Sequence, residues 1–170
     1  MALHQIDAIL WRSYMTSTSD ALWGTRSNQY YIDLPASDYE TFFAGRAEQS
    51  TDEENNPTFR IRLEPFDGHP AVAQYQIEFE KKREGIARAG SWNINGQHSD
   101  TAYPLWKSGR GPSKRFQEMG LDEKKKNFII IARDVEGKFH GRWVRAEDFD
   151  ELPHRIKTLL EQKSAGWSLL

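Results

Sequence analysis

Polar and apolar residues alternate most cleanly over Ala73–Lys81, where Ala73, Tyr75, Ile77 and Phe79 interleave with Gln74, Gln76, Glu78 and Glu80. A period of two with one apolar face predicts a strand half buried in a sheet. Thr58–Leu63 repeats the pattern, with Phe59, Ile61 and Leu63 on one face and Arg60 and Arg62 on the other. Phe128–Ala132 is apolar throughout, and Asp134, Glu136 and Gly137 predict a turn into Phe139–Val144. These two segments make a hairpin in which His140 and Arg142 take a wet face. Tyr30–Leu34 is rich in strand formers and is stopped by Pro35, and Ile86–Trp92 is read as a return strand.

Helical spacing is sparser. Leu3, Ile6, Leu10 and Tyr14 recur at three- and four-residue steps and predict a helix over Ala2–Tyr14. Ser37 and Glu40 have the spacing of a capping box ahead of Tyr39, Phe42 and Phe43. Ser113–Met119 can form two turns ended by Gly120, and Pro153–Gln162 sets Ile156, Leu159 and Leu160 on one side of a closing helix. Gln49–Pro57 reads as a charged surface turn. Short strands joined by tight turns favour a barrel or sandwich over a parallel α/β sheet.

Two stretches follow no period. Thr16–Asn28 is polar with Arg26 near its end, and Ala89–Gly111 runs through Trp92, Asn93, Asn95, Gln97, His98, Ser99, Asp100 and Thr101. Tyr103, Pro104, Leu105 and Trp106 bracket the second stretch, and Lys107, Arg110, Lys114 and Arg115 follow. Asn, Gln, His and Asp can read hydrogen-bonding groups on a base edge, and Lys and Arg grip phosphate. The same residues would also suit a solvated loop. Structureless loops of this length tend to be functional in compact domains.

Composition narrows the field. The 170 residues fit one domain, and 38% hydrophobic with 12% aromatic residues is not a disordered composition. The absence of cysteine excludes disulfides and thiolate metal sites and favours an intracellular setting. No apolar run has membrane-spanning length, and the mean hydropathy is -0.77. A net charge of -2 argues against coating nucleic acid by bulk charge, while leaving room for a basic face.

Catalytic patterns are weak. None of the five histidines has a second ligand at metal-binding spacing. His98-Ser99-Asp100 has the letters of a nucleophilic triad, but contiguous residues cannot supply its geometry. Asp67 followed by Glu80 and Lys82 matches the loose pattern of a magnesium-dependent nuclease, in which carboxylates hold the metal and lysine assists the attacking water. A solvent-facing charge row opposite Tyr75, Ile77 and Phe79 accounts for Glu80 equally well.

Tyr30-Tyr31-Ile32-Asp33-Leu34-Pro35 after one polar stretch, Leu105-Trp106-Lys107-Ser108-Gly109-Arg110-Gly111 after the second, and the apolar hairpin beyond form an order of features. That order resembles the N-terminal effector-binding domain of EcoRII-type restriction endonucleases. Those domains are related to the plant B3 fold, which also occurs in the BfiI enzyme. The resemblance covers about residues 9–150 and rests on order and spacing. It implies a mainly β fold with short flanking helices, a seven-stranded open pseudobarrel of the B3-like type. One such domain would span 1–163, with 164–170 a tail or the start of a linker. Two arms, Thr16–Gln29 and Trp92–Tyr103, would clasp the major groove. The DNA-binding residues implied are Arg26, Ser27, Asn28, Asn93, Asn95, Gln97, His98, Ser99, Asp100, Lys107, Arg110, Lys114 and Arg115. Gln97, His98 and Asp100 stand where the family's arm is richer in Lys and Arg.

The resemblance further implies double-stranded DNA as partner, with a CCWGG-like site. Cleavage would belong to a nuclease domain of the parent protein outside these residues. This chain would then be non-catalytic, without cofactor or metal, not membrane-bound, and cytoplasmic in a prokaryote. The alternatives are a small nuclease using Asp67, Glu80 and Lys82, and a domain whose arms hold a peptide.

Asp100 distinguishes base reading from charge attraction. A carboxylate is repelled by the phosphate field but accepts a hydrogen bond from the cytosine amino group. Asp100→Ala should weaken binding to a cognate duplex by about 1–3 kcal/mol and leave a scrambled duplex level or stronger. Paired isotherms at one salt concentration measure this, and equal losses on both duplexes would assign Asp100 to loop shape alone.

Overall fold

The computed structural model describes residues 5–14, 31–34, 38–51, 57–65, 75–81, 92–95, 127–144 and 146–170. The protein is mainly β, with short helices. Its strands are β1 (Ile6–Tyr14), β2 (Tyr31–Leu34), β3 (Glu48–Thr51), β4 (Pro57–Pro65), β5 (Tyr75–Lys81), β6 (Trp92–Asn95), β7 (Asn127–Asp134), β8 (Phe139–Val144) and β9 (Ala165–Leu169). Helix α1 is Tyr39–Phe43 and α2 is His154–Gln162, with a 3-10 segment over Ala146–Glu151. Nine described strands, against the seven expected, join one sheet in the order β2-β6-β5-β4-β8-β7-β1-β9, and β3 pairs with β4. The β4–β8 pairing is parallel and the others are antiparallel. Among the described residues no pairing joins β2 to β9, so the path is open.

The alternating segments fold as their pattern requires. Register sets Phe79 opposite Phe59 and Ile77 opposite Ile61, and both Phe59 and Ile61 are buried. The β7–β8 hairpin closes through Gly137 at a φ of 84°, in the left-handed region that glycine enters without a Cβ penalty. There the Gly137 N–H donates to the Asp134 carbonyl at 2.9 Å.

The segment expected to be an N-terminal helix is instead β1, and it is central. It pairs with β7 from Ile6 to Tyr14 and with β9 from Ala8 to Arg12. Ile6, Ala8, Ile9, Leu10 and Trp11 are all buried, so both faces of the strand are covered. A three-and-four spacing cannot be told from a fully buried strand when nearly every position is apolar. Pairing on both edges decides for the strand.

The last seven residues, expected as a tail or linker, carry β9 and belong to the sheet. The Trp11 indole Nε1–H donates to the Lys163 carbonyl at 2.9 Å, and the Ser13 N–H donates to Ser164 at 2.6 Å. The Leu170 N–H donates to the Asp7 carbonyl at 2.9 Å.

Two apolar layers flank β1 and β7. On one face Ile6, Ile9, Trp11, Phe128, Ile130, Ala132 and Val144 pack with Leu152, Ile156 and Leu160 of the closing segment and α2. The expected helix is therefore present, and Pro153 stands at its N-cap. It covers the β8 face expected to be wet: His140 and Arg142 are each only 4% exposed. On the other face α1 inserts Phe42 and Phe43. Phe43 stacks on Phe59 at 5.6 Å and meets Phe139 at 5.5 Å, while Phe42 meets Trp167 at 6.0 Å. Each fully buried side chain of this size stabilises the fold by about 1.5–3 kcal/mol. Helix α1 lies where expected, but Asp38, not Ser37, is its N-cap, and no side chain caps its backbone. Gln49–Thr51, expected in a turn, lie in the exposed strand β3. Short β3 runs antiparallel to Pro57–Arg60, which supply its partners.

Deleting residues 164–170 should lower unfolding stability by about 3 kcal/mol or more, since five paired positions are lost at about 1 kcal/mol per hydrogen bond. Urea denaturation checks this. A linker would leave the midpoint within about 0.5 kcal/mol of the parent.

Candidate nucleic-acid interface

The two polar stretches are best located by their roots in the sheet. Tyr14, the last residue of β1, is the register partner of Asn127, the first residue of β7. Tyr31, the first residue of β2, is the register partner of Asn95, the last residue of β6. Antiparallel partners lie about 4.5–5.5 Å apart at Cα. Segment 15–30 therefore begins beside the end of segment 96–126 and ends beside its start. Both connect the same two places in the sheet, the β1–β7 pair and the β2–β6 pair.

Of the expected contact residues, Asn93 and Asn95 are described. Arg26, Ser27, Asn28, Gln97, His98, Ser99, Asp100, Lys107, Arg110, Lys114 and Arg115 lie outside the described residues, as does the expected helix Ser113–Met119. Asn93 and Asn95 were expected in an arm, but they sit on β6, between β2 and β5. Trp92-Asn93-Ile94-Asn95 alternates, yet so short a polar run carries little strand signal of its own. Its neighbours impose the conformation.

Register also defines the company of these two positions. Asn93 lies in one cross-strand row with Asp33, Glu80, Thr58 and Ser50. Asn95 lies in the next polar row with Tyr31, Glu78, Arg60 and Glu48. On β4 itself Arg60 is exposed and Phe59 is buried. Glu80 lies on β5, with Asn93 and Thr58 as its register partners, while Asp67 and Lys82 lie outside the described residues.

Elsewhere Arg133, Arg46 and Lys138 are each paired with a carboxylate. Arg133 Nε donates to Asp7 at 2.8 Å, its Nη1 donates to the Phe42 carbonyl at 2.7 Å, and its guanidinium lies 5.4 Å from the Phe42 ring. Arg46 reaches the same Asp7 carboxylate at 3.8 Å, and Lys138 pairs with Glu136 at 2.9 Å. Arg46, Arg60 and Lys138 line a cleft of about 260 Å³ between β3 and the β7–β8 turn, together with Glu48 and Glu64. Among the described residues no three His, Cys, Asp or Glu side chains come together to hold a metal, and no helix is long and apolar enough to cross a membrane.

Asn127 and Asp134 are among the buried polar groups that escaped the sequence reading. Asn127 is fully buried at the head of an apolar strand, and Asp134 bonds His140 Nε2 at 2.9 Å within the hairpin. The Asp134 Oδ1 atom also accepts the backbone N–H groups of Glu136 and Lys138, each at 2.9 Å. A polar residue opening an apolar strand was the visible signal for Asn127, and the Asp-to-Gly turn for Asp134.

No family model, curated protein or solved structure matches this chain.

Burial alone would raise the Asp134 carboxyl, but the His140 and two backbone hydrogen bonds outweigh it and hold the group below its ordinary value. The folded protein thus binds this proton less readily than the unfolded chain. The stabilisation is complete above the unfolded value near 3.8 and is lost as pH falls through the lower folded value. Unfolding free energy should drop between about pH 5 and pH 2, and Asp134→Asn should flatten that part of the profile. Urea titrations at stepped pH measure it, and parallel profiles would remove Asp134 from the acid response.

Proposed function

We propose that this chain binds double-stranded DNA sequence-specifically, with segments 16–29 and 96–103 as two arms in the major groove. The observation that carries the reading is the pairing of the roots. Tyr14 with Asn127 and Tyr31 with Asn95 tie both polar stretches to the same two strand pairs. Two arms of matched origin on a rigid sheet can meet one short stretch of duplex together. Their Asn, Gln, His and Asp side chains suit base edges, and Arg26, Lys107, Arg110, Lys114 and Arg115 suit the flanking phosphates.

In this reading the sheet is a B3-like pseudobarrel to which β3 and β9 are additions. The chain is the recognition domain of a type II restriction endonuclease, with a CCWGG-like site, working in the cytoplasm of a prokaryote. DNA cleavage belongs to a separate nuclease domain of the parent protein, and this domain needs no cofactor.

Affinity for short duplex DNA should fall steeply as salt rises, because phosphate contacts release counterions. Arg110→Glu should weaken binding to every duplex by similar factors, and Glu80→Ala should leave binding near parent level. Incubation with magnesium or manganese should yield no cleavage. Absent or salt-independent binding would sink the DNA reading. Magnesium-dependent cleavage lost in Glu80→Ala would make the protein a nuclease.

A further inference from the structure

Asn127 is where the second polar stretch returns to the sheet, and it has no solvent exposure. Phe128, Ile129, Ile130 and Ile131 follow it, so an apolar residue would suit the strand better by packing alone. A buried amide is costly unless its polar atoms find partners. The Asn127 Oδ1 atom accepts the backbone N–H of Ala146 at 3.2 Å, the first residue of the 3-10 segment beyond the hairpin. Its register partner, Tyr14, is the residue from which the first polar stretch departs. From the other side of β1, Ser164 holds the Ser13 N–H at 2.6 Å. The roots of both stretches are therefore fixed at one point, by a side chain on β7 and by the chain entering β9.

We propose that Asn127 is a positioning residue for DNA recognition, holding both arm roots in register through its bond to Ala146. The inference rests on the DNA reading given above. Base contacts demand placement within about 0.5 Å, whereas phosphate contacts through long flexible side chains tolerate more. Loss of the Asn127 bond therefore lowers selectivity and leaves general affinity for DNA.

The experiment uses the whole chain and a duplex enriched by the wild-type protein from a randomised library, beside a scrambled duplex of equal composition. Asn127→Leu removes the acceptor at similar volume. Ala146→Pro removes the donor while leaving Asn127 in place, at a position where proline suits the start of a helical turn. Each should weaken binding to the enriched duplex by about tenfold or more and to the scrambled duplex by no more than about twofold, consistent with the worth of a base contact. Asn127→Asp, which keeps an acceptor oxygen, should restore most of the selectivity. Circular dichroism melting identifies any variant that fails to fold, and Ala146→Pro decides the matter if Asn127→Leu does. Equal losses on both duplexes, or unchanged selectivity in a folded variant, overturn the positioning role alone. Failure of the wild-type chain to enrich any sequence overturns the DNA reading and this role with it.

Discussion

Strand β1 is the element on which the rest of the structure depends. It is paired on both edges, by β7 and β9, and covered on both faces, by α2 with its neighbours and by the aromatic layer around α1. A strand in that position must be apolar on successive residues, and Ala8, Ile9, Leu10 and Trp11 are. Its removal would separate β9 from the sheet and divide the layer that Ile6, Ile9 and Trp11 share with Ile156 and Leu160. The closing residues of the chain are drawn into the fold for the same reason, since β1 offers the edge that β9 completes.

Charge is arranged as carefully as apolar surface. Asp7, next to the irregularity between Ile6 and Ala8, binds Arg133 closely and Arg46 more loosely. Arg133 in turn ties the sheet to α1 through the Phe42 carbonyl. In the hairpin, Asp134 and His140 satisfy each other where α2 and the sheet exclude water. Breaking one member of such a buried set leaves the other exposed to the full cost of desolvation. These groups hold structure together.

The fold gives the arm segments a common base. Four strand ends, from β1, β7, β2 and β6, supply the roots, and the pairing of those strands fixes their spacing. The sheet sets where segments 15–30 and 96–126 begin and end.

Local pattern by itself determined β4, β5, the β7–β8 hairpin, β2 and both helices. Phe59, Ile61 and Leu63 are buried with Arg60 exposed between them, Tyr75 to Phe79 alternate in sequence alike, and Ile156 with Leu160 form one buried stripe, each within a few neighbouring residues. Tertiary structure alone decided β1, β6, β9 and the inner surface of β8. In β1 both faces are buried, so no period survives to separate strand from helix. In β6 polar residues take strand form because β2 and β5 supply hydrogen-bonding partners on both edges. His140 and Arg142 alternate as solvent-facing residues do, but α2, arriving from later in the chain, covers them. The candidate interface divides in the same way: its base-reading and phosphate-gripping residue types are written in the sequence. The coincidence of its roots depends on the long-range pairing of Tyr14 with Asn127 and Tyr31 with Asn95, which no local pattern encodes.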